Sequence, residues 1–222
     1  MLGIIIAVKE EAAAILANAA YGWVKKDGVY HSAGGRLILS ICGIGKANAA
    51  FALGRIFERA DEIVMFGTSG ALSTEKIGSL YLCSEFVEHD MLATTLGVPP
   101  GVTPFSGMNS AVISAPNPQT LAKVREICHA ENLELREGRA LSGDQFIHSK
   151  ELALAKAEQF GGQLADMETA AVAKICQRLG KQFCAVRYVT DNADSNAPSN
   201  WQENVRVSAE YFDRILLKLT EK

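Results

Sequence analysis

The stretch LGIIIAVKEEAAAIL, residues 2–16, is the segment that decides the fold class. Its first seven residues form an uninterrupted apolar run rich in Ile, which is typical of a strand buried on both faces of a sheet. Residues 9–19 are rich in Ala and predict a helix directly after this strand. Because Lys9, Glu10 and Glu11 end the apolar run and no basic segment precedes it, we interpret it as a first strand and not as a signal peptide.

Strand-like and helix-like segments alternate along the rest of the chain. Further strands are predicted at 62–66, 79–88, 111–114, 136–142 and 182–190. Helices are predicted at about 47–59, 117–132, 149–160, 168–179 and 202–220, the second with Asn117 as N-cap and Pro118 at its first position. Gly34-Gly35 indicates a hairpin between the alternating runs 23–30 and 36–42. We therefore expect a single three-layer α/β/α domain over residues 1–222, with a mixed, largely parallel central sheet.

Composition narrows the classes of function. The chain has 222 residues, of which 48% are apolar, and a net charge of −3, so its charge does not favour nucleic acid or an anionic membrane as a partner. The apolar runs are too short to span a bilayer. The five cysteines are scattered and the four histidines lack metal-ligand spacing, which predicts reduced thiols in a cytoplasmic protein without a metal. We expect no cofactor.

Polar residues collect where the predicted strands end. In open α/β sheets, ligands bind beyond the carboxyl ends of the strands. Four segments there carry reactive or hydrogen-bonding side chains: Glu10-Glu11, GTSG at 67–70, SGDQFI at 142–147, and Thr190-Asp191. A fifth such segment, Asp166-Met-Glu at 166–168, opens a predicted helix.

In this order, the segments resemble the purine nucleoside phosphorylase/nucleosidase superfamily, and within it the 5′-methylthioadenosine/S-adenosylhomocysteine nucleosidases. The matching pieces span nearly the whole chain: IIIAVKEEA (4–12), GIGKANAA (43–50), GTSGAL (67–72), SGDQFI (142–147), ADMETAAVA (165–173) and VRYVTDNAD (186–194). The resemblance implies a nucleoside phosphorylase-like fold and a small nucleoside as substrate. It also implies a homodimer in which the 89–105 loop lies near the neighbouring active site.

The resemblance also implies roles for individual residues. Glu11 resembles the residue that activates the attacking water, and Asp191 the acid that protonates adenine at N7. Glu168 resembles the carboxylate that binds the ribose hydroxyls. The other implied substrate-binding residues are Met167 under the sugar, Phe146 stacked on the base, Ile147 at the base edge, Ile44 and Trp201 at the 5′-thio group, the hydroxyl-bearing Thr68 and Thr190, and Arg187.

Trp201 stands where the family often has Phe. Arg187 lies about 13 Å from Asp191 along an extended strand, at about 3.3 Å per residue, which is too far for a direct ion pair.

The chemistry of N-ribosyl hydrolysis requires residues of these types. Adenine is a poor leaving group as an anion, so an acid must protonate it, and water needs a base. The ribose passes through a cationic state that nearby negative charge stabilises. We therefore expect hydrolysis of 5′-methylthioadenosine and S-adenosylhomocysteine to adenine and the 5-thioribose product.

Other interpretations remain open for the sequence alone. The function could instead be that of a futalosine hydrolase, a phosphate-dependent purine nucleoside phosphorylase, or an inactive nucleoside-binding protein. Glu10-Glu11 and the 166–168 carboxylates could serve only as partners of helix dipoles. Gly43-Ile-Gly-Lys46 lacks the residues of a phosphate-binding P-loop, so we expect its glycines to serve helix packing. His89-Asp90 is not expected to act as a catalytic pair.

Overall fold

The computed structural model describes residues 1–221, which form one nine-stranded sheet covered by helices. The strands are β1 (Leu2–Ile6), β2 (Val24–Lys26), β3 (Val29–His31), β4 (Leu37–Ile41), β5 (Glu62–Ala71), β6 (Leu80–Glu88), β7 (Leu135–Ser142), β8 (Leu164–Asp166) and β9 (Gln182–Asp191). The helices are α1 (Ala13–Ala17), α2 (Lys46–Ile56), α3 (Gln119–Ala130), α4 (Lys150–Phe160), α5 (Thr169–Leu179) and α6 (Ala197–Thr220).

The sheet is mixed, and part of it closes on itself. The strand order is β2-β3-β4-β1-β5-β8-β7-β6-β9, and β9 also pairs with β5. Five pairings are parallel (β1–β4, β1–β5, β5–β9, β6–β7 and β7–β8), and four are antiparallel. Strands β5 to β9 therefore form a closed ring, while β2, β3, β4 and β1 extend from it as an open sheet.

Alternate side chains of β1 face two different apolar layers, which confirms the three-layer architecture. Ile4 and Ile6 belong to the cluster that contains Phe212 of α6. Ile5 belongs to the cluster that contains Leu53 of α2. Because both faces of this strand are buried, its sequence is a continuous apolar run instead of an alternating one.

Most predicted elements are present, and several boundaries differ for local reasons. The run 23–30 is split into β2 and β3 by Asp27-Gly28, whose φ angles of 50° and 75° suit a two-residue hairpin turn. The helix predicted at 9–19 is reduced to α1, which is followed by a short 3-10 helix. Only one bridge, between Phe86 and Ile113, remains of the strand predicted at 111–114.

Two helix starts also differ from the prediction. Pro118 is the N-cap residue of α3 and not its first helical residue, and Asn117 lies one position earlier. Helix α6 begins at Ala197, about one and a half turns before the predicted start. None of the helices within residues 1–221 is both long enough and apolar enough to cross a membrane.

The topology brings the segments that carry Glu11, Asp166–Glu168 and Asp191 to one edge of the sheet. Strands β1, β5 and β9 are parallel neighbours, so their carboxyl ends lie on the same side. Strand β8 runs against β5 but pairs with its last residues, Gly70 and Ala71. The Asp166–Glu168 segment, which begins with the last residue of β8, therefore reaches the same edge as Glu11 and Asp191.

Candidate active site

A cavity of about 300 Å³ opens at this edge of the sheet. Its volume is at the lower end of the range for small-molecule sites. The lining residues are Ala7, Val8, Glu11, Ile44, Thr68, Ser69, Gly70, Gln145, Phe146, Ile147, Ala165, Asp166, Met167, Glu168, Thr190, Asp191, Pro198, Trp201 and Gln202.

The cavity brings together ten of the eleven residues that the sequence assigned to the site. The exception is Arg187, which is fully buried and lies outside the lining. Its side chain comes from the middle of β9, so the sheet encloses it, and the expectation of direct substrate contact is corrected on this point. Glu10 is exposed, whereas its neighbour Glu11 is buried, so only the second of the paired glutamates faces the cavity.

Three donors hold the carboxylate of Glu11. The backbone N–H and the hydroxyl of Thr68 donate to Oε1, at 2.7 and 2.8 Å. The backbone N–H of Val8 donates to Oε2 at 3.2 Å. Glu11 thus faces the cavity in one fixed orientation, as a base that must direct a water molecule requires.

The backbone at the start of α2 holds Glu168. The N–H of Gly45 donates to Glu168 Oε1 at 2.9 Å, and Gly45 has a φ of 104°, which only glycine adopts readily. The GIGK segment therefore binds a carboxylate of the protein itself, a use that side-chain motifs do not indicate. Burial and the neighbouring Asp166 carboxylate raise the pKa of Glu168 to about 7, while Arg187 opposes this shift.

A buried ion pair joins the cavity wall to the interior of the sheet. Arg187 Nη2 is 3.1 Å from Asp166 Oδ2, and both side chains are almost completely buried. Asp166 also accepts hydrogen bonds from Ser142 and Thr169 and from the Glu168 N–H. The sequence suggested only a helix-dipole role for Asp166. In the structure it neutralises a guanidinium and fixes the start of α5.

Gly67 makes room for this ion pair. A Cβ atom at position 67 would lie 2.0 Å from Arg187 Nη1 and 3.5 Å from Glu11 Oε1. The first glycine of the GTSG segment is therefore required by close approach of a side chain, because no other residue would leave the guanidinium in place.

Asp191 occupies a different environment from the other two carboxylates. Its Oδ2 accepts a hydrogen bond from the Thr190 hydroxyl at 2.9 Å, and its Oδ1 accepts one from the Ala193 N–H at 3.0 Å. Burial raises the pKa of Asp191, and these two hydrogen bonds oppose the shift. A buried carboxyl that holds its proton to higher pH is suited to act as an acid.

A bulge directs Asp191 into the cavity. The β5–β9 ladder shifts between Ser69 and Gly70, so that Gly70 pairs with Asp191 and Thr190 is the extra residue. Bulges of this kind redirect side chains next to active sites. A Cβ atom at Gly70 would lie 2.8 Å from Asp191 Oδ1, so this glycine also makes room for a carboxylate.

Apolar side chains form the mouth of the cavity. Ile44 is 53% exposed and Phe146 is 42% exposed, although both line a concave site. Ile147 and Met167 lie deeper, and the Trp201 ring closes another side. Exposed apolar side chains at a cavity mouth are typical of groups that a ligand covers.

A set of charged residues beside the mouth was not predicted from the sequence. Lys46 Nζ lies 2.6 Å from Asp90 Oδ1, and the Lys46 N–H donates to Asp144 Oδ1 at 2.8 Å. Asp90 Oδ2 accepts from the Asp144 N–H at 2.9 Å. These bonds tie the loop carrying Ile44 to the loop carrying Phe146. They also give Asp90 a partner other than His89.

Within residues 1–221, no group of three or more His, Cys, Asp and Glu side chains is arranged to hold a metal ion. The charged side chains that line the cavity are the carboxylates of Glu11, Glu168, Asp191 and Asp166, of which Asp166 is paired with the buried Arg187.

Comparisons with known proteins agree with this architecture. The chain is 28% identical over 204 residues to the aminodeoxyfutalosine nucleosidase of Helicobacter pylori, covering 90% of this chain and 86% of that protein. It is 28% identical over 187 residues to the 5′-methylthioadenosine/S-adenosylhomocysteine nucleosidase (MTAN) of Staphylococcus haemolyticus, covering 82% and 80%.

A solved structure of a Helicobacter pylori MTAN mutant holds 5′-methylthioadenosine in its active site. It superposes with a TM-score of 0.87 at 26% identity, covering 98% of this chain and 96% of that one. The family model of the phosphorylase superfamily matches residues 1–221. The chain therefore belongs to the phosphorylase superfamily, and these three relatives are named as nucleosidases.

Proposed function

We propose that the protein is an N-ribosyl hydrolase that cleaves 5′-methylthioadenosine and S-adenosylhomocysteine, releasing adenine and the 5-thioribose product. The observation that carries this proposal is that Glu11, Glu168 and Asp191, which come from three segments far apart in the sequence, line a single cavity. Each carboxylate has surroundings that suit one part of the reaction.

Asp191 acts as the acid. Adenine leaves as a neutral molecule only if a proton reaches its ring nitrogen as the bond to ribose breaks. Burial raises the pKa of Asp191, so the carboxyl retains a proton at a pH where an exposed Asp has lost it. The Ala193 N–H and the Thr190 hydroxyl fix its orientation.

Glu11 acts as the base. It accepts three hydrogen bonds, two on Oε1 and one on Oε2, so the lone pairs that remain face the cavity in a defined direction. A water molecule in that direction gives a proton to Glu11 and attacks the anomeric carbon of the ribose. The C–N bond breaks at the same time, and its electron pair goes to the protonated purine.

Glu168 binds the ribose hydroxyls and stabilises the sugar cation. The Gly45 N–H holds its Oε1, and Met167 lines the cavity beside it. The ribose becomes positively charged in the transition state, and carboxylates in a buried site stabilise such charge better than water does. The buried Arg187 guanidinium, which is paired with Asp166, opposes the repulsion between the carboxylates.

The mouth of the cavity accepts the base and the 5′ group. Phe146 stacks on the purine, and the Ile147 backbone meets its edge. Ile44 and Trp201 contact the 5′-thio substituent. The exposed apolar faces of Ile44 and Phe146 support this assignment, because they have area for a ligand to cover.

The direct test is to incubate the purified protein with 5′-methylthioadenosine in phosphate-free buffer and to measure free adenine by chromatography. We expect adenine and methylthioribose in equal amounts, at a rate that added phosphate does not change. Absence of adenine at high enzyme concentration would contradict the proposal. Cleavage that requires phosphate would identify a phosphorylase instead.

Aminodeoxyfutalosine is a second candidate substrate. It is favoured by the 28% identity over 90% of the chain to the Helicobacter pylori enzyme named for it. The two candidates make different demands on the 5′ pocket, which Trp201 and Ile44 border. Comparing kcat/KM for 5′-methylthioadenosine, S-adenosylhomocysteine and aminodeoxyfutalosine separates them. We expect the two thioadenosines to be preferred, and a preference for aminodeoxyfutalosine of tenfold or more would reverse the assignment.

We further propose that the enzyme is a homodimer in which the 89–105 loop approaches the neighbouring cavity. The loop carries Leu92, Leu96 and Phe105, which are 61%, 59% and 97% exposed in the isolated chain. Exposed apolar groups of this size are typical of contact surfaces. Light scattering on the purified protein in solution should give twice the mass of one chain. A fully active monomer would contradict the dimer.

A further inference from the structure

The indole of Trp201 is joined to Glu11 by a chain of two hydrogen bonds. Its Nε1 lies 3.0 Å from Thr68 Oγ1, and Thr68 Oγ1 lies 2.8 Å from Glu11 Oε1. An indole N–H can only donate, so the Thr68 hydroxyl accepts from Trp201 and its own proton points to Glu11. The direction of both bonds is therefore fixed.

The same part of α6 is also bonded to the end of β9, which carries Asp191. Asn204, three residues after Trp201 and hence on the same side of the helix, donates from Nδ2 to the backbone oxygen of Thr190 at 3.1 Å. Thr190 precedes Asp191. The start of α6 is thus bonded to the strand ends that carry both the Glu11 and the Asp191 contacts.

We propose that Trp201 is a positioning residue for hydrolysis, which acts through the Thr68 hydroxyl to hold Glu11 in the orientation that activates water. This inference rests on the proposed function and adds a role in the rate of hydrolysis to the place of Trp201 in the pocket wall. Without the indole N–H, the Thr68 hydroxyl is free to rotate. Glu11 Oε1 then keeps only the Thr68 N–H as a constant donor.

The first variant is Trp201→Phe, which keeps an aromatic ring and removes the donor. We expect kcat for 5′-methylthioadenosine to fall about three- to tenfold, the range for the loss of one hydrogen bond, and most of the loss to be in kcat and not in KM. A ring that served only as a wall would change KM instead.

The decisive experiment repeats this substitution in backgrounds that keep or remove the hydroxyl. In Thr68→Ser the hydroxyl remains, and Trp201→Phe should cost the same factor in kcat as in the wild type. In Thr68→Val the connection is already broken, so Trp201→Phe should have no further effect on kcat. Thr68→Ala provides the same test if the Val variant does not fold.

Trp23→Phe is the matched control, because the chain has two tryptophans and Trp23 also donates its indole N–H, to the backbone oxygen of Ile15 at 2.9 Å. It lies outside the cavity lining and should leave kcat and KM unchanged. Equal losses from Trp201→Phe with and without the Thr68 hydroxyl would overturn this inference alone. A wild-type protein that releases no adenine would instead overturn the proposed function.

Discussion

The floor and the mouth of the cavity differ in how far the protein itself fixes their side chains. At the floor, Glu11, Glu168 and Asp191 are 3–5% exposed, and each accepts a hydrogen bond from a backbone N–H. At the mouth, Ile44 and Phe146 are about half exposed. The floor is fixed by its own contacts before a ligand enters. The mouth has apolar area without a protein partner. This difference suggests that the chemistry is set by the fold and that the choice of substrate is set by surfaces that a ligand completes.

The largest effect is expected at the floor, at the proposed acid. Asp191→Asn keeps the shape of the side chain and removes its proton, and kcat should fall by about 10³-fold, within the range for loss of a general acid. The thermal unfolding temperature at pH 8 should be at or above that of the wild type, because an uncharged amide is easier to bury. A variant that keeps a tenth of the wild-type activity would remove Asp191 from this role.

The raised pKa of Asp191 also predicts how activity falls at alkaline pH. Burial raises the pKa of Asp191 above its ordinary value, so the folded protein holds this proton more tightly than the unfolded chain does. Both activity and the contribution of this group to stability are therefore present at low pH and are lost as the pH rises through the raised pKa. The limb should be absent from the pH profile of the residual activity of Asp191→Asn, and an unchanged limb in that variant would assign it to another group.

The next effect separates the two adjacent glutamates. Glu11→Gln should lower kcat by about 10²-fold or more, because the amide cannot take a proton from water. Glu10→Gln is the control, since Glu10 is exposed and lies outside the cavity. Steady-state assays of both variants show which of the two glutamates is needed for turnover. Similar losses at the two positions would show that the site is built around a different residue.

A smaller effect is expected from crowding the floor. Gly67→Ala would place a Cβ atom 2.0 Å from Arg187 Nη1, so the Asp166–Arg187 pair must move. The free energy of unfolding should fall by about 1–3 kcal/mol, with loss of activity. Gly54→Ala on α2 is the control, because nothing lies within 4 Å of its added Cβ. It should stabilise the protein by about 0.5–1 kcal/mol. Denaturant unfolding of both variants measures the difference between their free energies of unfolding. Equal stability of the two variants would contradict the proposed close contact at Gly67.

The smallest effect is expected at the mouth. Phe146→Leu should remove about 0.5–1.5 kcal/mol of binding free energy from the aromatic contact with the base. We therefore expect KM to rise several-fold and kcat to change less. Phe51→Leu removes an exposed aromatic ring from α2 outside the cavity and should change neither constant. A loss confined to kcat in Phe146→Leu would show that the mouth takes part in the chemistry.

The sequence predicted the fold class and the order of the site segments because buried strands and their polar carboxyl ends leave local signals. It did not predict β8, since three residues are too few to show a period. The sequence predicts one strand over 23–30, because the turn at Asp27-Gly28 lies inside an alternating pattern.

Local sequence patterns did not predict the contacts that join distant segments of the site. The Arg187–Asp166 pair joins β9 to the end of β8, while Lys46 begins α2 and Asp90 and Asp144 come from two different loops. The Gly45 N–H that holds Glu168 is a backbone group, so no side-chain motif marks it. Nine of the ten predicted residues in the cavity lining lie in segments that resemble family motifs, and the tenth, Trp201, stands where the family often has Phe.

The most direct test of the central claim is a crystal structure of the protein with a non-hydrolysable thioadenosine analogue. The purine should lie against Phe146 with N7 within hydrogen-bond distance of Asp191, and the ribose hydroxyls should bond to Glu168. The anomeric carbon should face Glu11, with room for one water molecule between them. An analogue bound elsewhere, or one whose ribose meets only one of the three carboxylates, would contradict the account.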